Sequence, residues 1–377
     1  LSALYRVCSH QALLPRSLQI PVCYNRSDNP LYHGGFADVW KGEYQGRHVA
    51  VKALRVYSTS DFDRIINKFC KEVVMWKSLC HPNILPLLGV TMGDYQFAMV
   101  SEWMANGNIN EFVKTNRDTN RFELLKDVAR GLMYLHKQEM VHGDLKGANI
   151  LVDQNGHARL TDFGLLTIVS DPTNFTPSSS VVACGTIRWM SPELLLPDQF
   201  DLRDSRPTKE SDCYALGMVI YEVLSGQAPF IPFKEAIVMR KITEGEHPER
   251  PQGTKGALFT DDLWEMLNRC WATQIEMRPD IEAVEAVLEH LEQVSRTWEP
   301  PSPQANGDVE TNEGDWNFAT EVVHSVWFLI SISFTPDACG RFHADYVSDP
   351  LSELTTLIKT FTTEVGISWR LGKVEKR

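Results

Sequence analysis

The sequence lacks closely paired cysteines, which argues against a protein stabilised by zinc or by disulfide bonds. Its eight cysteines are scattered along 377 residues, and no Cys-x-x-Cys pair occurs among them. This distribution predicts neither a zinc site nor a disulfide framework. Reduced thiols indicate a cytoplasmic protein, with the nucleus as the alternative compartment.

An excess of basic residues is also missing. Lys and Arg number 37 against 49 Asp and Glu, which gives a formal net charge of −12. Nucleic-acid binding depends on Lys and Arg side chains that neutralise phosphates, so the composition argues against nucleic acid as the main partner. Solubility is a sufficient explanation of the acidity.

Long hydrophobic runs are absent as well. The longest apolar stretch, residues 322–334, is interrupted by His324 and three serines and is too short to span a bilayer. The sequence therefore predicts no membrane span. The chain starts at Leu1 rather than Met, which leaves open that it is a fragment or a processed product.

What the sequence does contain is a cluster of groups suited to phosphoryl transfer. Residues 141–152 are VHGDLKGANILV, and Asp162 follows shortly. Phosphoryl transfer needs a carboxylate to orient the attacking hydroxyl, oxygen ligands for Mg²⁺, and a cation where negative charge collects. Asp144, Asn149, Asp162 and Lys146 would supply those groups.

Two short strands are predicted around this cluster. Residues 150–152 are ILV and residues 158–161 are ARLT, and residues 153–156 between them are DQNG, a good turn signal. A hairpin would bring Asn149 and Asp162 to the same end, where one metal ion could contact both. The structural alternative is an Asp- and Asn-rich turn without catalytic function.

Residues 141–164 resemble the catalytic loop and metal-binding segment of protein kinases. The resemblance implies an α+β, two-lobed fold, in which a small antiparallel β-sheet lobe carries one key helix and a larger lobe is mostly α-helical. It implies ATP and Mg²⁺ as cofactors, with Asn149 and Asp162 as metal ligands and Asp144 and Lys146 as catalytic residues. Gly143 stands where most kinases have an arginine.

A second segment resembles the kinase Gly-rich loop. Gly34 and Gly35 lie between two β-rich segments, and small residues let backbone N–H groups approach phosphates closely. Tyr32 and Ala37 replace the first and third glycines of the usual pattern. A plain hairpin turn is the alternative.

Lys52 and Glu72 complete the predicted phosphate site. Lys52 ends the strand VAVK, and Glu72 lies beside the apolar stripe of a helix predicted over residues 61–79. A charge beside an apolar stripe is costly without a partner. By resemblance, Glu72 pairs with Lys52 and orients it towards the phosphates, so both are counted as catalytic residues.

The resemblance also predicts where the nucleotide binds. Residues 101–107 would form the hinge between the lobes, whose backbone groups hold adenine, and the small Ser101 would be the gatekeeper residue. The implied nucleotide-binding residues are Gly34, Gly35, Phe36, Val39, Ala50, Lys52, Ser101, Glu102, Trp103, Met104, Leu151 and Asp162.

Later motifs follow in the order of the family. Residues 165–184 form a Ser- and Thr-rich segment that predicts an exposed loop, and residues 185–193 resemble the substrate-binding loop. Asp212 would anchor the catalytic loop, with a plain helix N-cap as the alternative. Arg278 would form a buried ion pair with Glu193.

The predicted organisation has three parts. Residues 1–30 are an N-terminal extension, for which a lead-in helix packed on the domain is favoured over a targeting segment. Residues 31–295 are the kinase domain, with the small lobe over 31–100, the hinge over 101–107 and the large lobe over 108–295. Residues 296–377 are a Pro-rich, acidic linker and a tail, expected to be partly disordered. The tail's role stays open, and one alternative is a segment that binds a regulatory partner.

The sequence therefore predicts an ATP- and Mg²⁺-dependent protein kinase that acts on Ser and Thr of protein substrates in signalling. Lys146 and Thr186 favour the Ser/Thr type, and residues 188–190 resemble the tyrosine-kinase-like group of these enzymes. A pseudokinase that serves as a nucleotide-binding scaffold is the main alternative. A small-molecule kinase of similar fold is a more distant one.

Overall fold

The computed structural model describes residues 14–24, 29–33, 37–54, 62–93, 96–162, 186–203 and 205–297. The chain divides into two units, residues 1–300 and 301–377, and all described residues belong to the first. Gly34, Gly35, Phe36, the loop over 165–184 and the tail lie outside the described residues.

The small lobe is a five-stranded antiparallel sheet with one helix, as predicted. The strand order is β1-β2-β3-β5-β4. The elements are β1 (Tyr32–His33), β2 (Ala37–Tyr44), β3 (Arg47–Leu54), α1 (Phe62–Lys77), β4 (Leu87–Gly93) and β5 (Gln96–Glu102).

The alternation of side chains along β3 decides which face Lys52 occupies. Val51 is fully buried in an apolar cluster on one face and pairs with Val100 of β5. Lys52 points to the opposite face, where its partner Met99 belongs to the main core. Phe69 of α1 belongs to the same core. Lys52 therefore projects from the face of the sheet that α1 covers.

An N-terminal segment, residues 14–24, crosses the opposite face. The backbone N–H of Ile20 donates to the Val90 carbonyl at 2.9 Å, and Cys23 exchanges two backbone hydrogen bonds with Glu43 at 2.8 and 3.1 Å. A Cβ atom at Gly89 would lie 2.6 Å from a backbone oxygen of this segment, so only glycine fits there. The sequence places the expected lead-in helix at Leu4, Val7, Cys8 and Gln11, which lie outside the described residues.

The large lobe is mostly helical. Its elements are α2 (Ile109–Thr115), α3 (Arg121–Lys137), β6 (Ile150–Val152), β7 (Ala158–Leu160), α4 (Pro192–Leu195), α5 (Lys209–Ser225), α6 (Glu235–Thr243), α7 (Asp261–Cys270) and α8 (Ile281–Thr297). The two-lobed α+β prediction is confirmed.

The sequence predicts a helix over residues 122–136 with an apolar stripe, and α3 forms there. The Asn120 side chain caps the helix by accepting from the Phe122 N–H at 3.1 Å. The helical stripe is fully buried and consists of Leu125, Val128, Leu132 and Leu135. This stripe fixes the helix that leads into residues 138–149, which carry the chemistry.

Candidate active site

The catalytic-loop side chains converge, as the resemblance implies. Lys146 Nζ lies 2.9 Å from Asp144 Oδ2, and Asn149 Nδ2 donates to the same oxygen at 2.8 Å. Asn149 also donates to the Asp144 carbonyl at 2.7 Å. Both donors of this small cluster are directed at Asp144, so its carboxylate is held in one orientation.

The hairpin prediction is confirmed, and it brings the two candidate metal ligands together. Strands β6 and β7 pair antiparallel, with Ile150 opposite Leu160. The Thr161 N–H donates to the Asn149 carbonyl at 3.0 Å. Asp162 is the next residue after Thr161, so this hydrogen bond holds it close to Asn149. The short hairpin thus does what the sequence predicts.

Asp212 of α5 anchors the catalytic loop through hydrogen bonds to its backbone. Its carboxylate accepts from the backbone N–H groups of His142 at 2.8 Å and Gly143 at 2.9 Å, and it contacts His136 Nε2 at 2.9 Å. The N-cap of α5 is instead Thr208. The anchoring role is therefore confirmed, and the alternative of a plain N-cap is wrong.

Gly143 adopts a backbone conformation that residues with a side chain rarely take. Its φ is +76°, and an added Cβ atom would lie 3.2 Å from a side-chain carbon of Pro207. A side chain at this position would be strained both by the backbone angle and by that contact. The loop therefore carries no side chain here that could bind a phosphate group.

Lys52 forms its ion pair with Asp162. Lys52 Nζ lies 2.5 Å from Asp162 Oδ1, and both side chains are partly buried. Burial opposes ionisation of Asp162, but the ammonium and hydrogen bond of Lys52 outweigh it, so the pKa of the carboxyl is lowered. Asp162 adopts φ +62°, a left-handed conformation that is uncommon outside glycine.

The expected ion pair between Lys52 and Glu72 is not formed, which corrects the sequence-based pairing. Within the described part of the chain, Asp162 takes the ammonium instead. Glu72 Oε2 is buried and has no hydrogen-bond partner among the described residues, and the residue is 8% exposed. Burial raises the pKa of Glu72 well above its usual range, although Lys52 opposes the shift. α1 thus brings Glu72 near the lysine without completing the contact.

The candidate adenine residues lie on adjacent strands and the hinge. Val39 pairs with Lys52, and Ala50 pairs with Ser101, which places these positions side by side in β2, β3 and β5. Glu102 ends β5, and the Trp103 N–H donates to a β3 carbonyl at 3.2 Å.

The hinge also contacts the large lobe. The Val152 N–H donates to the Gly107 carbonyl at 3.0 Å, and Leu151 forms a β-bridge with Asn108. Met104 is buried against the main core. The structure therefore places Leu151 against the end of the hinge, where residues from both lobes meet.

The donor set fits Mg²⁺ bound with ATP. Asn149 uses its Nδ2 to bind Asp144, which leaves its oxygen available, and the lowered pKa of Asp162 keeps that carboxylate ionised. Mg²⁺ prefers oxygen ligands and commonly takes only one or two from the protein, with phosphates and water as the rest. Among the described residues, no group of three His, Cys, Asp or Glu forms a metal site.

The late ion pair is confirmed. Arg278 donates to both oxygens of Glu193, at 2.6 and 2.7 Å, and the two side chains are almost fully buried. Ser191, which stands where the family usually has alanine, donates to Glu193 at 2.7 Å. Removing either charge would leave its partner buried and unpaired, which would lower the free energy of unfolding by an amount on the order of 3–5 kcal/mol.

Sequence reasoning missed Glu222, the residue that joins three parts of the site. Its carboxylate accepts from the Gly147 N–H at 3.0 Å, from Asn110 Nδ2 at 2.6 Å and from Trp189 Nε1 at 2.9 Å. Burial raises its pKa, against the effect of these hydrogen bonds. The signal available in the sequence was an acidic residue inside an apolar helix, which requires partners.

In the part of the chain that the structure describes, no helix is both long and apolar enough to cross a bilayer.

Comparisons with known proteins agree with the geometry. A family model, protein tyrosine and serine/threonine kinase, matches residues 26–288, well over half of the chain. The chain is similar to the tyrosine-protein kinase csk-1 of Caenorhabditis elegans, with 30% identity over 66% of this chain and 43% of the relative. It is also similar to the serine/threonine-protein kinase STY46 of Arabidopsis thaliana, with 26% identity over 73% of this chain and 45% of the relative.

A third relative is the probable serine/threonine-protein kinase DDB_G0282895 of Dictyostelium discoideum. It is 33% identical over 56% of this chain, but the match covers only 12% of the relative. The chain thus spans less than half the length of these three relatives. The similarity lies in the two-lobed domain that carries Asp144, Asn149 and Asp162, and the chain belongs to the protein tyrosine and serine/threonine kinase family.

Proposed function

We propose that the chain is an ATP- and Mg²⁺-dependent kinase that phosphorylates serine and threonine residues of protein substrates. The observation that supports this best is the position of Lys146. Its ammonium lies 2.9 Å from Asp144 Oδ2 and donates to Thr186 Oγ1 at 2.9 Å. Lys146 therefore links Asp144, the candidate base, to Thr186 in the segment that resembles the substrate-binding loop.

This contact favours an aliphatic hydroxyl as the phosphate acceptor. Because Lys146 holds Thr186 close to Asp144, the acceptor must reach the carboxylate from a short distance. A Ser or Thr hydroxyl lies near its own backbone, whereas a Tyr phenol projects much farther and needs a wider gap. The names of the Dictyostelium and Arabidopsis relatives also favour the Ser/Thr type, although csk-1 is a tyrosine kinase.

The residues then take the following roles. Asp144 orients the substrate hydroxyl and accepts its proton, and Lys146 stabilises charge on the transferred group. Asn149 and Asp162 hold Mg²⁺, which when bound neutralises charge on the ATP phosphates. Lys52 turns from Asp162 towards those phosphates. The scattered thiols favour the cytoplasm or the nucleus as the place of action.

A nucleotide-binding pseudokinase is the second candidate. It is favoured by Glu72, which is buried without a hydrogen bond to Oε2 and does not orient Lys52. Catalysis by this family depends largely on positioning, so a misplaced lysine would lower the rate strongly.

Phosphate transfer from labelled ATP–Mg²⁺ to a generic protein substrate tests the proposal. The purified chain is compared with Asp144→Asn and with Asp198→Asn, a matched change at an exposed residue. Incorporation on Ser or Thr that is lost only in Asp144→Asn supports the proposal. Incorporation on Tyr would overturn the acceptor assignment, and ATP binding without transfer would favour the pseudokinase.

A further inference from the structure

A cavity separate from the active site lies between the end of α2, the start of α3 and the end of α5. Its volume is about 760 Å³. Its lining includes three cationic side chains, Lys114, Arg117 and Arg121. A concentration of positive charge is unusual in a chain whose formal net charge is −12.

The carbonyl acceptors at the end of α5 already have donors within the protein. The end of α5 would present free carbonyl groups, but Arg121 Nη1 donates to the Val223 and Leu224 carbonyls, each at 2.9 Å. The Gly226 N–H closes a further turn on α5, at 2.9 Å. The negative end of this helix is therefore neutralised by protein groups, and it does not repel an anion.

Three wall residues other than Arg121, in contrast, have donors available for a ligand. Lys114 and Arg117 are exposed and form no ion pair with a carboxylate of the described residues. Asn120 uses its oxygen to accept from the Phe122 N–H, which leaves its Nδ2 as a donor. Asp118, the acidic neighbour of Arg117, does not line the cavity. The wall therefore suits a ligand that brings acceptors and negative charge.

The rest of the lining is mixed: Thr119 and Ser225 are polar, and four residues are apolar. Val113, Phe122 and Leu224 are buried residues of the main core, and the partly exposed Leu258 closes one side. A cationic rim beside a partly apolar lining favours a ligand with both acidic and apolar side chains. A small inorganic anion would use only the rim.

The cavity lies close to the proposed active site without being part of it. Asn110, at the start of α2, binds Glu222, which also binds the catalytic-loop residue Gly147. Lys114 follows four residues later on α2, about 6 Å farther along its axis. Leu224 follows Glu222 by two residues on α5. A peptide held here would be anchored to the same two helices that position the catalytic loop.

We infer that this cavity is a docking site for an acidic peptide segment of a partner protein, in which apolar side chains alternate with Glu or Asp. Lys114 and Arg117 bind the carboxylates, and the apolar side chains pack against the partly exposed Leu258. The inference deepens the proposed kinase function, because such a segment would hold a substrate protein beside the active site. The binding itself does not require catalysis.

A direct binding measurement tests the inference. The probe is a fluorescein-labelled nonapeptide of alternating Glu and Leu, titrated with the full chain and followed by anisotropy. We expect binding that weakens as NaCl is raised and that falls roughly tenfold in the double variant Lys114→Glu, Arg117→Glu. A matched double variant at exposed cations elsewhere, Arg47→Glu with Lys234→Glu, should bind as the unchanged chain does.

Two further peptides separate the charge from the apolar contribution. A nonaglutamate peptide should bind more weakly than the Glu/Leu peptide, and a Lys/Leu peptide should not bind. Equal binding of the Glu/Leu peptide to both double variants would overturn the inference, as would tighter binding of the Lys/Leu peptide. Binding of phosphatidylserine vesicles, lost with Lys114 and Arg117 while the peptide fails to bind, would replace the peptide by a membrane surface.

A kinase assay on the same variants distinguishes failure of the docking site from failure of the proposed kinase function. Both double variants should phosphorylate a generic substrate at the rate of the unchanged chain, since neither alters the catalytic residues. A chain that binds the peptide but transfers no phosphate would support the docking site and contradict the kinase proposal. A chain that transfers phosphate but does not bind the peptide would do the reverse.

Discussion

Lys52 Nζ lies 2.5 Å from Asp162 Oδ1, so the candidate phosphate-binding cation and the candidate metal ligand neutralise each other. In the proposed reaction each has another partner, because the lysine binds phosphates and the carboxylate binds Mg²⁺. In that reaction the ion pair of Lys52 and Asp162 would have to open, so that each group could contact its own partner.

Asp162→Asn should nearly abolish phosphate transfer while leaving the fold intact. The amide cannot supply the charge that Mg²⁺ requires, so the rate should fall roughly 10²–10³-fold. Rates are measured over a range of Mg²⁺ concentrations, and melting temperature reports the fold. A normal rate at ordinary Mg²⁺ would exclude Asp162 as a metal ligand.

Asp212→Asn should loosen the catalytic loop. The variant loses charge-assisted hydrogen bonds to His142 and Gly143, which should lower the free energy of unfolding by about 1.5–3 kcal/mol. The rate should also fall roughly tenfold or more, because Asp144 loses its position. Denaturant unfolding and initial rates provide the two measurements.

Thr208→Ala is the matched control for this change. Thr208 caps the same helix without contact to the catalytic loop, so its loss should cost about 1 kcal/mol of stability. Its effect on the rate should be small. If the two variants lowered the rate equally, helix stability rather than loop anchoring would explain the loss.

Glu72→Gln should change how the stability of the protein depends on pH. Burial raises the pKa of Glu72 in the folded protein, so the folded state binds this proton more tightly than the unfolded chain does. The unchanged protein therefore loses stability as pH rises from the unfolded pKa, about 4.3, to the folded pKa, and it does not regain it above that value.

The Glu72→Gln variant has no ionisable group at this position, so it does not lose folding stability in this way as pH rises. Calorimetry at pH 5 and pH 8 should show Glu72→Gln gaining relative stability at the higher pH, on the order of 1–3 kcal/mol. Phosphate transfer by the two proteins should be equal, because Lys52 pairs with Asp162 rather than with Glu72. Parallel melting curves for both proteins across this range would show that Glu72 carries no penalty in the folded state.

Kinase activity should not depend strongly on phosphorylation of the loop over 165–184. Gly143 has no side chain to bind a phosphorylated residue, and its φ of +76° disfavours any replacement. Phosphatase-treated protein should retain most of its activity, and so should a chain with alanine across residues 173–180. Loss of activity in both samples would show that another cation binds the phosphorylated loop.

Ser101→Met should block bulky ATP-competitive inhibitors. Ser101 is buried at the end of β5 and opposite Ala50, so a larger side chain must occupy space behind the adenine site. Overpacking of this kind should weaken such inhibitors roughly 10–100-fold. Inhibition curves are compared with those for Ser101→Ala, which should retain full sensitivity. Equal potency against all three proteins would show that the inhibitor does not reach this space.

The elements near the catalytic loop could be predicted because their signals are local. The stripe through Leu125 and Leu132 predicted α3, and the turn signal at residues 153–156 predicted the hairpin that brings Asn149 to Asp162. The buried pair of Arg278 and Glu193 came from the order of motifs rather than from any local pattern.

Other features depend on tertiary contacts that no local pattern contains. The three partners of Glu222 lie 33, 75 and 112 residues away along the chain. Two carboxylates, Glu72 and Asp162, compete for the ammonium of Lys52, and only the placement of α1 decides between them. The cavity beside Lys114 likewise arises from packing of separate helices.

The N-terminal segment over residues 14–24 has a consequence for preparing the protein. A truncated chain starting at Leu31, where the motifs begin, would uncover the apolar face around Val51 and leave backbone groups of Val90 and Glu43 without partners. Uncovered strands of this kind pair with other molecules. The smallest fragment that stays monodisperse should therefore begin before Leu14, well upstream of the first recognisable motif.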